Sequence, residues 1–299
     1  MPIGSAWPVA ATTVDELPPP MGRQLAEQLA RGEAIQQLLY VPADHLARGA
    51  GAWERTRGLQ VLALTDRRLI VGAQAVRRGE PSWVALPYDA IVTWEIGEIL
   101  LYGRLDLCGE LDGQVVRTFI EFNTVWTHLI AAALAPLERA TLGVSRGAGQ
   151  PWFPTTPQLP FKFGNFLAEA LLPGEELRDL VFQDAIVTPL LRFWRRLIAP
   201  GTVIAGTDRR LLVIREEAKL RDDRYGHSAL TLPRRWAGGL AIHDDGTRLT
   251  LVDAAHPDGW RLRIERAQST ALGTLVTTLR DAAAAPAPEP TVEHAVGTV

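Results

Sequence analysis

Thr65-Asp66-Arg67-Arg68-Leu69 recurs letter for letter as Thr207-Asp208-Arg209-Arg210-Leu211, 142 residues further along the chain. The same shift carries Leu17-Pro18, Gly22, Leu25-Ala26-Glu27, Leu29 and Gly32-Glu33 onto Leu159-Pro160, Gly164, Leu167-Ala168-Glu169, Leu171 and Gly174-Glu175. After small insertions, Leu86-Pro87 pairs with Leu232-Pro233, Arg104-Leu105 with Arg248-Leu249, and Asp112-Gly113 with Asp258-Gly259. A unit of about 125 residues therefore occurs twice, which is domain-sized and too long for a solenoid repeat. The chain is a tandem duplication.

Each copy reads the same way. Met21, Leu25 and Leu29, like Phe163, Leu167 and Leu171, fall at i, i+4 and i+8, which predicts a short amphipathic helix. A strand follows over Ile35–Val41 or Leu177–Phe182. After a loop come hairpins, Leu59–Leu64 to Leu69–Gly72 and Thr202–Gly206 to Leu211–Arg215. Asp66-Arg67 and Asp208-Arg209 fall at the two central turn positions, where Asp tolerates left-handed φ and bonds nearby backbone. Further strands are expected at Ser82–Leu86, Ile91–Ile99, Leu105–Cys108 and Val115–Phe122, with counterparts in copy two. Asp112-Gly113 and Asp258-Gly259 are two-residue hairpin signals, because both central positions of a type I′ turn need positive φ. Each copy closes with a helix: Trp126, Leu129, Ile130 and Ala133 form one apolar stripe, and Leu272, Leu275, Val276 and Leu279 the other. Asn123 and Ser269 are the expected N-caps.

The organisation expected from this pattern is an N-terminal tail over 1–16, copy one over 17–142, a Pro/Gly-rich linker over 143–158, copy two over 159–284, and a disordered tail over 285–299. About seven short strands closed by an amphipathic helix match a pleckstrin-homology-like barrel. The Thr-Asp-Arg-Arg-Leu hairpin resembles that of bacterial PH domains, the YokE-like group in particular, and is similar to a segment of GRAM domains. The fold this implies is mainly β with capping helices: two tandem PH-like barrels, each of about seven antiparallel strands closed by a C-terminal α-helix. The resemblance also implies a non-enzymatic fold that binds proteins or membranes.

Composition narrows the function classes. The 299 residues include 31 Lys+Arg against 34 Asp+Glu, with 47% apolar and 22% charged residues, the profile of a soluble globular protein. A net charge of −3 argues against general nucleic-acid binding. The single cysteine, Cys108, excludes an internal disulfide or a thiolate zinc cluster, and is expected to be a buried small hydrophobe in a reducing, cytoplasmic setting. The start has neither a basic n-region nor a continuous apolar segment, and no window approaches a membrane span.

The catalytic inventory is thin, and no enzyme activity, metal or cofactor is expected. Gly143-Val144-Ser145-Arg146-Gly147 has a central serine but follows a helix, whereas a nucleophile elbow needs a strand-to-helix turn. His243-Asp244-Asp245 with His256 could supply metal ligands, but Asp245-Gly246 reads as a turn and copy one has no equivalent.

The loop after the first strand is the distinctive segment. Over Val41–Arg57 it is small and polar, whereas over Gln183–Ala199 it interleaves Arg192, Phe193, Trp194, Arg195 and Arg196. In PH-like domains this loop is the usual place for phosphoinositide head groups, and guanidinium forks suit phosphate. The same residues also suit a protein partner or self-association, where Trp and Arg are enriched, or packing between the copies with the arginines paired to Glu175, Glu176 or Asp179. The expected function is a protein-interaction or scaffolding module, with peripheral binding to an anionic membrane through this loop as the alternative.

Overall fold

The computed structural model describes residues 9–46, 55–74, 80–99, 101–145, 159–191, 194–216, 226–245, 249–253 and 261–284. In the first half these form β1 (Val9–Ala11), α1 (Pro19–Gln28), β2 (Ile35–Val41), β3 (Asp44–Leu46), β4 (Arg55–Arg57), β5 (Leu59–Thr65), β6 (Arg68–Gln74), β7 (Ser82–Pro87), β8 (Ile91–Ile99), β9 (Tyr102–Leu111) and β10 (Gln114–Asn123), then α2 (Thr127–Ala133) and α3 (Ala135–Leu142). The second half runs α4 (Phe161–Ala170), β11 (Leu177–Gln183), β12 (Ile186–Leu191), β13 (Trp194–Ala199), β14 (Thr202–Thr207), β15 (Arg210–Glu216), β16 (Gly226–Pro233), β17 (Leu240–Asp244), β18 (Leu249–Asp253), β19 (Arg261–Ile264) and α5 (Ser269–Ala284). The chain is mainly β, its sheets are antiparallel, and the last described element is a helix.

Alternation along the central strands places apolar side chains on both faces, so each half builds two core layers. In β5 and β6, Val61, Ala63 and Ile70 pack against Met21 and Leu25 of α1. Leu62, Leu64, Leu69 and Val71 face the other way, toward Leu105, Ile120, Ile130 and Leu137. The second half repeats this. Val203, Ala205 and Leu212 meet Phe163 and Leu167 of α4, while Ile204, Leu211 and Val213 meet Leu272, Leu275, Val276 and Leu279. The whole predicted α5 stripe is buried. Strands covered on both sides read as near-continuous apolar runs, as β5, β6, β14 and β15 do.

The sheets differ from the expected barrels. β1-β2-β5-β6-β7 form one sheet, β17-β18-β19 another, and a seven-stranded sheet runs β10-β9-β8-β16-β15-β14-β11 across both copies. Among the described residues neither half closes into a barrel: β8 spends its free edge on β16 of the other copy, from Ile99–Gly226 to Trp94–Thr231. Gly226 is required there: a Cβ would sit 2.5 Å from the Glu98 carbonyl oxygen. The Trp236 indole N–H donates to the Ile91 carbonyl at 2.8 Å, and Arg235 donates to the Tyr88 carbonyl at 2.6 Å. Arg209 caps the end of α3 through the Leu142 carbonyl at 2.8 Å. The seam that a barrel would close with a backbone ladder is bridged by a side chain: Gln60 donates to the Phe119 carbonyl and accepts from the Glu121 N–H.

Several local expectations are corrected. Part of the expected 1–16 tail is strand β1, paired with β2 at Val9–Tyr40 through Ala11–Leu38. The expected loops after β2 and β11 are hairpins, β3–β4 and the longer β12–β13. The closing helix of copy one is split into α2 and α3, with Pro136 in the first turn of α3. Asn123 does cap, accepting from the Val125 N–H at 3.1 Å, but on a 3-10 turn. Ser269 is already helical, because a 3-10 turn starting after Glu265 precedes α5. Asp112-Gly113 has the positive φ pair of a type I′ turn, 51° and 75°. Asp258-Gly259, residues 146–158 of the linker and the 285–299 tail lie outside the described residues.

Candidate functional site

The repeated hairpin is a structural latch. Among the described residues Asp112 is the non-glycine with positive φ, so Asp66 and Asp208 do not sit in the left-handed region. Each aspartate instead accepts from the backbone N–H opening the first strand, Ala34 at 3.0 Å and Glu176 at 2.9 Å. Thr65 and Thr207 accept from the two N–H groups of their turns and donate to Glu33 and Glu175 at 2.7 Å. Arg68 forks onto Glu33 at 2.8 and 2.7 Å, and Arg210 onto Glu175 at the same distances. Gly32 and Gly174, with φ of 77° and 72°, turn the chain so that the following glutamate points inward. These arginines are therefore engaged within the fold, Arg210 fully buried and Arg68 partly exposed, and Glu175 is engaged by Arg210 and not by the aromatic-arginine segment.

Of that segment, Arg192 and Phe193 lie outside the described residues. Trp194, Arg195 and Arg196 open β13, with backbone register Trp194–Leu191, Arg195–Pro189 and Arg196–Thr188. The structure thus places these three on a hairpin strand, and Glu176 of the proposed acidic partners pairs with Arg178 at 2.8 Å.

Sequence reasoning missed a trough on the far face of the seven-stranded sheet. Leu105, Leu107, Ile120 and Phe122 point into the first core, so Thr93, Glu95, Gly97, Tyr102, Arg104, Asp106, Cys108 and Arg117 alternate onto the opposite face. Where β8 meets β16, Arg215 and Ser228 of copy two continue that face. Two adjoining hollows of about 270 and 300 Å³ result, sharing Glu95, Asp106 and Arg215, and Arg261 of β19 lines the larger. Cys108, expected in the core, is half-buried and lines this trough.

The trough has fixed electrostatics. Asp106 holds Arg104 at 2.9 and 2.6 Å, and the guanidinium lies 4.2 Å from the ring centroid of the half-exposed Phe119. Glu95 pairs with Arg215, a contact between the two copies. Tyr102 donates to Glu121 at 2.7 Å; burial first, then that carboxylate, push its phenol up to about 12, so it works as a neutral donor. The period-2 alternation of charge along β9 and β10 was visible in the sequence, but the neighbour that continues the face was not.

Other candidates are dispersed. Asp244 accepts from Arg266 at 2.8 Å, and His256 lies outside the described residues. Among the described residues no group of three His, Cys, Asp or Glu side chains could hold a metal ion. Gly143 ends α3 in the left-handed conformation, so Ser145 follows a helix C-cap and not a strand. No helix among the described residues is long and apolar enough to cross a membrane. Compared with the models of known families, the chain matches none, and no curated protein sequence matches it.

Proposed function

We propose that the chain is a non-enzymatic binding module, two tandem pleckstrin-homology-like units acting as a cytoplasmic protein-interaction or scaffolding unit. The observation that carries this reading is the β8–β16 ladder. It joins the two copies through one continuous sheet, and the chain carries two unlike surfaces, the β12–β13 hairpin and the trough. The repeated motif is spent on internal latches, so binding falls to what differs between the copies. Two surfaces on one frame favour a two-point contact, which gains through effective concentration.

The alternative, docking on anionic lipid through the 192–196 segment, is favoured by its sequence, which interleaves Arg192, Arg195 and Arg196 with aromatic residues. Flotation with neutral and anionic vesicles separates the two. Scaffolding predicts no flotation with either vesicle. Salt-sensitive flotation with anionic vesicles, lost in an Arg192→Glu/Arg195→Glu/Arg196→Glu variant that still folds, would replace scaffolding with membrane binding. Protein partners are then sought by cross-linking with the full chain and the same variant.

A further inference from the structure

We infer that the trough between the copies receives an extended acidic peptide segment of a partner protein, through Arg104, Arg117, Arg215 and Arg261. This rests on the reading of the chain as a protein-interaction module. Shape argues for a peptide. The two hollows share a wall of Glu95, Asp106 and Arg215 and run along β9 from Tyr102 to Cys108. Six steps of strand are about 20 Å, the length of about six extended residues. A lone phosphate would occupy one hollow and leave the other to water.

Charge argues for an acidic one. The described residues lining the trough include four arginines, each with contacts inside the protein, and two carboxylates, Glu95 and Asp106. Those carboxylates position guanidinium groups and do not block them: Asp106 takes two of the five N–H donors of Arg104, and Glu95 fixes Arg215. Planar forks set in place suit carboxylates in bidentate geometry. Phe119, 37% exposed beside Arg104, supplies apolar surface next to the charges. An extended peptide with carboxylates on alternate residues would present all of them on its trough-facing side, against the arginines.

Fluorescence anisotropy tests this with the full chain and a labelled peptide about ten residues long, alternating Glu and Thr, with its Gln-Thr counterpart as control. Saturable binding of the acidic peptide alone is expected, weakened about tenfold by Arg117→Glu, by Arg261→Glu and by raising salt from about 0.05 to 0.5 M. Both arginines are exposed, so the fold should tolerate the changes; Arg117→Gln, expected to weaken binding about threefold, serves if reversal disturbs folding. Equal binding of both peptides, no binding, indifference to all three variants, or displacement by an equimolar amount of inorganic phosphate overturns the proposal. A partner cross-linked equally by wild type and Arg117→Glu would sink the trough and leave the interaction-module reading standing.

Discussion

Arg210→Met is expected to lower the free energy of unfolding by about 3–5 kcal/mol, read from urea denaturation followed by tryptophan fluorescence. Arg210 and Glu175 are 1% and 0% exposed, and their pair is bidentate. Arg210 also donates to the Ala170 carbonyl at 2.6 Å and to Thr231 at 3.1 Å, so it ties α4 and β16 to the hairpin. Methionine keeps much of the volume but strands a buried carboxylate and an acceptor. The copy-one equivalent sets the scale, because Arg68 is 26% exposed against a fully buried Glu33, and water can enter when it is removed. Arg68→Met should therefore cost clearly less than Arg210→Met. Adding Glu175→Leu to Arg210→Met should restore part of the loss, since the uncompensated charge goes with it. A deficit below about 1 kcal/mol for Arg210→Met would mean that the repeated motif is not the latch described.

The same latch sets a pH dependence. Hydrogen bonding to Arg68, against some opposing desolvation, holds Glu33 at about 2 against an ordinary 4.5. Burial alone would raise Glu175, but the charge and hydrogen bonds of Arg210 outweigh it and its pKa is lowered. A depressed carboxylate contributes stability that is complete above its unfolded pKa and fades as pH falls through its folded value. The latch's contribution to stability should therefore be flat from neutral pH to about 5.5 and fade progressively toward pH 2. In Arg210→Met the sign at Glu175 reverses: a buried carboxylate without its cation is raised, and protonation relieves it. The gap between variant and wild type should narrow on acidification, and a gap independent of pH would contradict this account.

Legibility in the sequence followed the range of each interaction. The helix, first strand and hairpin of both copies were readable because their signals are local, and the Thr-Asp-Arg-Arg spacing recurs with Gly-Glu at a constant offset. Glu33 and Glu175 were visible as aligned letters, yet only folding showed that the second arginine of each hairpin forks onto them. The β12–β13 hairpin reads as a loop in the sequence because arginines and aromatics mask its alternation, and Pro189 lies within it. The trough could not be located from sequence at all. Its charged alternation, Tyr102-Arg104-Asp106-Cys108, reads equally well as a solvated strand face, and the pairing of β8 with β16 is what makes it a groove.

That pairing also bears on edge-to-edge growth between chains. It joins β8 of copy one to β16 of copy two, and their counterparts β17 and β7 end their own sheets. The same ladder between chains would extend the array, but both edges are unsuited to it. β17 has five residues where β8 has nine, and it ends on the exposed His243 and Asp244, the latter bound to Arg266. Counting from the aligned prolines, Trp236 corresponds to Ala90, so copy one has no indole to anchor a further copy. Short charged edges of this kind discourage edge-to-edge growth.

Gln60→Leu and Gln183→Leu are each expected to cost about 2–4 kcal/mol, although both substitutions look like gains for a core. Gln60 is 5% and Gln183 3% exposed. Gln60 donates to the Phe119 carbonyl at 3.1 Å and accepts from the Glu121 N–H at 2.8 Å. Gln183 does the same with the Arg263 carbonyl at 3.1 Å and the Glu265 N–H at 2.7 Å. In both copies one amide thus stands in for a missing strand, satisfying a donor and an acceptor two residues apart, both on β10 in copy one, and on the end of β19 and the residue after it in copy two. The two glutamines are not repeat equivalents. Gln60 lies on β5 opposite Val41, and Gln183 lies on β11 opposite Thr202, so the staple has changed strands while keeping its target. Leucine fills the space and orphans both backbone groups, each worth about 1–3 kcal/mol when buried. Hydrogen exchange localises the effect: the Glu121 and Glu265 amides should lose protection in their respective variants, while the β5–β6 and β14–β15 ladders keep theirs. Unchanged stability with unchanged exchange at those two amides would mean that the seams are held by packing alone.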